Sequence, residues 1–152
     1  LGYNLAPIPD PAALAQRYLD ERDLREVAIV GHSKGGIVGK HMMAVNDLDH
    51  RIDSMVAIAS PFSGSARAKY VPVRTIRPFL PGDALLGTLA ANLELNSRIT
   101  SIYTRVDHII PNGSFLEGAT NIEVPLVGHF RLLSDPRVLA AVQRAIDGPG
   151  VY

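Results

Sequence analysis

The apolar positions fall into two patterns with different periods. Short unbroken apolar runs occur at Val27-Ala28-Ile29-Val30 and Met55-Val56-Ala57-Ile58-Ala59, and Ile99 to Thr104 and Asn121 to Leu126 are two further strand candidates. β-branched runs of this length suit strands buried on both faces, as in a parallel sheet. Pro125 points to an edge position or an early end for the last of them, because proline cannot donate to a ladder. Between the runs, apolar residues recur at helical spacing. Leu14, Ala15, Tyr18 and Leu19 predict a helix that Asp10 caps, with Pro11 in its first turn, ending near Arg22. Ile37 to Val45 predicts a second. Leu85, Leu86, Leu89 and Leu93 predict a third. Val138, Leu139, Val142 and Ile146 predict a closing helix, opened by Asp135-Pro136 and ended by Gly148-Pro149-Gly150.

The predicted order is helix, strand, helix, strand, helix, strand, loop, strand, helix. This alternation implies an α/β fold, a mostly parallel sheet with helices on both faces. The 152 residues suit one domain, and 47% are apolar, enough to bury a core. Residues 62 to 96 are less regular. Val71, Val73, Ile76, Phe79, Leu80 and Leu85 make them a candidate cap over an apolar pocket, or simply helix and loop packed on the sheet.

The formal net charge is zero, and there is no basic run. Neither a nucleic acid nor an anionic membrane is suggested as a partner. No apolar stretch approaches the roughly 18 residues of a membrane span. The chain has no cysteine, which excludes disulfides and thiolate metal sites and leaves the compartment open. No metal or cofactor motif is visible.

Gly31-His32-Ser33-Lys34-Gly35 interrupts the first apolar run and matches the G-x-S-x-G nucleophile elbow. The glycines allow a direct turn from strand to helix, in which a side chain at either would meet the neighbouring strand or helix. The turn projects the serine hydroxyl at a helix N-terminus, where the dipole and backbone N–H groups favour developing negative charge. The pattern alone arises by chance in roughly one chain in twenty of this length. Its placement between a strand and a helix strengthens it against the alternatives of an ordinary Gly-rich turn or a phosphate-binding loop, the latter lacking P-loop spacing.

A triad of this type needs a carboxylate and then a histidine downstream. In a parallel sheet they belong just beyond the C-terminal ends of later strands. Asp107 follows the strand ending at Thr104, and His129 follows the one ending near Leu126. His129 would take the Ser33 proton, and Asp107 would hold the imidazole tautomer. The other histidines fit less well. His32 is expected to point away from the serine. His41 and His50 lie on or after the elbow helix. His108 lacks a strand-then-loop placement after the acid. Among carboxylates, Asp83 lies in the irregular region, Glu117 in a loop, and Asp135 caps a helix.

With these residues in place, the chain resembles the small bacterial triacylglycerol lipases of the α/β-hydrolase superfamily, in particular the minimal, lidless Bacillus lipase A type. The resemblance rests on Val27 to Gly36, on Ile99-Thr100-Ser101-Ile102-Tyr103-Thr104-Arg105-Val106-Asp107, on Gly118 to Val124, and on Val127-Gly128-His129-Phe130-Arg131-Leu132-Leu133. It implies cofactor-free hydrolysis of a small-molecule ester or lipid through an acyl-enzyme on Ser33, with the Lys34 backbone N–H as an oxyanion donor. The Lys34 side chain is expected to be solvated. Ser60 to Ser65 resembles the family segment Gly-Thr-Pro-His-x-Gly, with Phe62 in place of its histidine.

The family's second oxyanion donor comes from a His-Gly segment upstream of the nucleophile. No such segment precedes Ser33, and the chain opens on Leu1-Gly2-Tyr3-Asn4. The resemblance therefore implies an N-terminally truncated domain. One missing donor costs roughly 2.7–4 kcal/mol of transition-state stabilisation. Two other readings remain open: an acyltransferase using the same triad, and a non-catalytic binding domain that keeps the fold.

Overall fold

A computed structural model of the chain describes residues 6–64, 84–111 and 113–148. Four parallel strands form one sheet in the order β1 (Val27–His32), β2 (Ile52–Ile58), β3 (Ile99–Val106), β4 (Thr120–Val127). The helices are α1 (Pro9–Glu21), α2 (Lys34–His41), α3 (Ala84–Ala91), α4 (Leu93–Asn96) and α5 (Pro136–Asp147).

The pleat divides the core in two. On β2, Met55 and Ala57 face one side and Val56 and Ile58 the other. Ile8, Ala12 and Leu19 from α1 and its lead-in, Ile37 and Val38 of α2, and Leu86 and Leu89 of α3 cover the first face. Val138 and Ala141 of α5 cover the second, with Ile102, Val124, Leu126 and Leu132. The sheet thus carries helices on both faces, as the alternation predicts.

Several elements differ in detail. Helix α1 starts two residues earlier than predicted. Ile8 occupies the N-cap without a side-chain hydrogen bond, and Asp10 lies within the first turn. Pro9 already supplies a preset φ there, and a carboxylate in the first turn still complements the helix dipole. Helix α2 begins at Lys34 rather than Ile37, then passes into a π-helical turn over Met42–Asn46. The predicted third helix breaks in two, because the Asn92 side chain accepts the Leu95 N–H and caps α4. The closing helix follows expectation, with Asp135 accepting the Arg137 N–H and Gly148 at its end with φ 79°.

β1 is less buried than a central strand, with Val30 49% exposed. Among the described residues it pairs with β2 only, and the contacts of α5 with the sheet concentrate on β2 and β3. Among the described residues β4 pairs only with β3, and the β3–β4 register shifts between Thr104 and Val106, opposite Pro125. A proline at an edge bulge costs no ladder hydrogen bond.

At the N-terminal end of the sheet, Asp47 accepts the N–H groups of Arg51 and Ile52 at 2.7 and 3.0 Å. The Arg51 guanidinium lies within 3.4 Å of Asp20, Asp23 and Asp49. These contacts fix the start of β2 at the end opposite to the candidate site.

Candidate active site

Ser33 sits between β1 and α2 with φ 54° and ψ −123°. A non-glycine residue holds such a backbone only when its surroundings enforce it, at a cost of about 1–3 kcal/mol. Here the enforcement is visible. The Ser33 N–H donates to the Ile58 carbonyl at 2.8 Å, and its carbonyl accepts the Gly36 N–H at 3.1 Å. Its hydroxyl makes no cap bond to the helix it precedes.

The space around the elbow is tight, although not at every glycine the motif names. A Cβ at Gly31 would stand 2.7 Å from the Gly35 and Gly36 backbone. A Cβ at Gly35 would meet nothing within 4 Å, contrary to expectation. The second crowded position is Gly36, where a Cβ would fall 2.0 Å from Ser60 Oγ. Close approach of α2 to the segment after β2 therefore depends on Gly36.

Asp107 and His129 are brought together. His129 Nδ1 and Asp107 Oδ2 are 2.7 Å apart, and both side chains are almost fully buried. The other carboxylate oxygen, Oδ1, accepts the N–H groups of Ile109 and Ile110 at 2.8 and 2.9 Å. Burial alone would raise the Asp107 pKa. The hydrogen bonds from His129, Ile110 and Ile109 outweigh it and hold the carboxyl below its usual range. With the carboxylate accepting at Nδ1, Nε2 of a neutral His129 is free of its proton and able to accept one.

The loop between Asp107 and β4 is stapled from several sides. Ser101 Oγ donates to the Ser114 carbonyl at 2.6 Å, and Asn96 Nδ2 to the Glu117 carbonyl at 2.7 Å. Asn121 exchanges hydrogen bonds with the Leu116 N–H and carbonyl. The Gly128 N–H donates to the Val106 carbonyl at 2.9 Å, with Gly128 at φ 104°.

No hydrogen bond joins Ser33 Oγ to His129, yet the two residues share one neighbourhood. His32 packs against His129. Its ring centroid is 4.7 Å from that of His129, and its Nε2 is 3.3 Å from the His129 carbonyl oxygen. Phe130 completes the group, with ring centroids 5.5 Å from His32 and 5.0 Å from His129.

The remaining competitors lie elsewhere in role. His41 is buried against Asn46, 3.2 Å from Nδ1 to Oδ1. His50, His108 and Glu117 are exposed, and Asp135 is committed to its cap and to Arg137. Asp83 lies outside the described residues, as do Val71, Val73, Ile76, Phe79 and Leu80 of the predicted cap. A cavity of about 420 Å³ opens between α3 and the loop after β3, lined by Phe62, Gly87, Ala91, Phe115 and Leu116 with Ser63 and Glu117.

Two lysines depart from what sequence reading supplies. Lys34 is not solvated. It is only 6% exposed, and its ammonium donates to the Ala6 carbonyl at 2.5 Å. Burial lowers its pKa. Lys40 on α2 is fully buried, donates to Asn96 Oδ1 and lies 5.4 Å from the Phe62 ring centroid. Its pKa falls to about 8 through burial. Nothing in the sequence pattern signals either burial.

Among the described residues no cluster of three metal-ligating side chains occurs, and no helix is long and apolar enough to cross a membrane.

Residues 13–70 match the family model of the PGAP1-like alpha/beta domain. The chain is similar in structure to a monoacylglycerol lipase of Paleococcus ferrophilus, at 14% identity and TM-score 0.63, over 94% of this chain and 76% of that one. It is similar to the Bacillus licheniformis lipase BlEst2 in mature form, at 13% identity and TM-score 0.68, over 92% and 74%. It also matches an extracellular alpha/beta-hydrolase from a Paenibacillus species, at 16% identity and TM-score 0.55, over 98% and 82%. With its parallel sheet, flanking helices and strained strand-to-helix elbow, the chain has the α/β-hydrolase fold.

Proposed function

We propose that the protein is a serine hydrolase that cleaves carboxylic esters through an acyl-enzyme on Ser33, with His129 as general base and acid and Asp107 as its partner. The observation that carries this reading is the buried 2.7 Å contact between His129 Nδ1 and Asp107 Oδ2 beside the strained Ser33 elbow. A carboxylate in that position stabilises the imidazolium formed when His129 accepts a proton.

In the proposed cycle, Ser33 Oγ attacks the ester carbonyl carbon and its proton passes to His129 Nε2. The carbonyl oxygen becomes an oxyanion facing the first turn of α2, where the Lys34 backbone N–H is the proposed donor. Collapse breaks the bond to the alkoxy oxygen, which leaves as an alcohol with the proton from His129. Water then attacks the acyl carbon, giving its proton to His129. The second collapse releases the acid and returns the proton to Ser33. A Ser33–His129 hydrogen bond is not required in a substrate-free site, since such bonds tighten when substrate binds.

An apolar acyl ester suits the surroundings. Phe130 stands 65% exposed beside His129, and Phe62 and Phe115 line an apolar cavity against α3. The test is hydrolysis of p-nitrophenyl esters of graded chain length. The proposal expects turnover by the wild type and none above background in Ser33→Ala. Equal turnover by both would overturn it. Product analysis with added alcohol separates hydrolysis from acyl transfer.

A further inference from the structure

We propose that His32 is a positioning residue that sets the location of the His129 imidazole over the elbow, by donating its Nε2 proton to the His129 backbone carbonyl. This inference rests on the proposed roles of Ser33 and His129. It assigns to the residue before the nucleophile a function that the G-x-S-x-G pattern does not contain.

The argument begins with the chain's own constraints. His129 lies on a loop anchored on its N-terminal side by Gly128, whose N–H bonds to Val106, and followed by a 3₁₀ turn at Arg131–Leu133. Asp107 fixes one ring nitrogen, and that single bond does not by itself set where the rest of the residue lies. A second fixed point is needed to aim Nε2 at Ser33. His32 supplies it from the elbow itself. Its backbone belongs to β1, in register with Ile58 of β2, so its Cα is held by the sheet. Its Nε2 lies 3.3 Å from the His129 oxygen, while its ring packs at 4.7 Å against the His129 ring and at 5.5 Å against Phe130.

The tautomer follows from the partner. A carbonyl oxygen only accepts, so Nε2 of His32 carries the proton. Burial lowers the His32 pKa, and the neighbouring His129 adds to this, against the opposing effects of the carbonyl bond and Asp107. The neutral ring is therefore the form that sits beside the base.

The donor can be separated from the ring by substitution. Gln carries an amide nitrogen the same number of bonds from Cβ as His Nε2, so His32→Gln keeps the donor and loses the ring. His32→Phe keeps the ring and loses the donor. Pre-steady-state acylation by a p-nitrophenyl ester reads the effect, alongside KM and melting temperature for each variant. The inference expects acylation within about threefold of wild type for His32→Gln and about 10- to 100-fold slower for His32→Phe, with KM and melting temperature little changed. Wild-type acylation in His32→Phe overturns it, as does equal slowing in both variants. If the wild type itself does not acylate, the proposed function fails first, and that result is distinct from either variant outcome.

Discussion

The Val106 carbonyl accepts the Gly128 N–H at 2.9 Å, and this bond ties the residue before Asp107 to the residue before His129. Two loops from neighbouring strands are thereby held in one geometry before either side chain is considered. Gly128 makes the bond at φ 104°, where a side chain is strained although nothing lies within 4 Å of a Cβ there. Gly128→Ala is expected to cost about 1–3 kcal/mol of backbone strain. It should retain the fold and slow acylation by roughly tenfold or more, because small misplacements of a catalytic group are expensive. Stopped-flow acylation checks this, and a wild-type rate would show that the loop tolerates the change.

The elbow glycines are predicted to differ in their tolerance. Gly35→Ala fills open space inside a helix and should leave stability equal or raise it by up to about 1 kcal/mol. Gly31→Ala and Gly36→Ala should each destabilise by about 1–3 kcal/mol or prevent folding. Ser60→Gly should recover part of the Gly36→Ala loss, since Ser60 is what the new Cβ strikes. Urea unfolding of the four variants and the double variant measures each effect.

Asp107→Asn is expected to lower kcat/KM by roughly 10³–10⁴-fold with little change in ester binding. The amide cannot accept two N–H bonds at Oδ1 and also the His129 proton at Oδ2. The imidazole then favours the tautomer that carries its proton on Nε2 and cannot take one from Ser33. The same carboxyl contributes to stability with a definite sign. Its folded pKa lies below the unfolded value near 3.8, so its contribution is present above that value and is lost as pH falls through the folded pKa. Acid titration of unfolding free energy in wild type and Asp107→Asn should converge at the acid end.

Lys40 is expected to leave a signature at alkaline pH. Its folded pKa of about 8 lies below the ordinary lysine value of 10.5. Between the two, the unfolded chain binds more protons than the folded one, so stability rises with pH. Below about 8 the full cost of burying the cation is present, and above 10.5 none of it remains. The stability of wild type relative to Lys40→Met should therefore increase from pH 7.5 to pH 10.5. A constant difference would show that the Lys40 ammonium is not penalised by its burial.

The sequence showed those features that depend on local pattern. Alternating apolar runs predicted the parallel sheet with helices on both faces, and Asp135-Pro136 marked the start of α5. Chain order and strand-then-loop placement led to Asp107 and His129, which the structure sets in contact. Features that depend on tertiary neighbours were not legible. Crowding at Gly36 rather than Gly35 is set by Ser60, some twenty-four residues away along the chain. Lys34 and Lys40 look like surface residues until Ala6 and Asn96 are placed beside them. The direction of His32 depends on where the loop after β4 crosses the elbow. The break at Asn92 competes with a helical apolar period, and the side-chain cap on Leu95 wins.

The central claim is that Ser33 is an activated nucleophile, and the most direct test is covalent labelling of the chain by a fluorophosphonate, read by intact mass beside Ser33→Ala. The account predicts one added phosphonyl group on the wild type, located at Ser33 by peptide mapping, and none on the variant. A folded wild type that stays unlabelled, or a label that persists in Ser33→Ala, would contradict it.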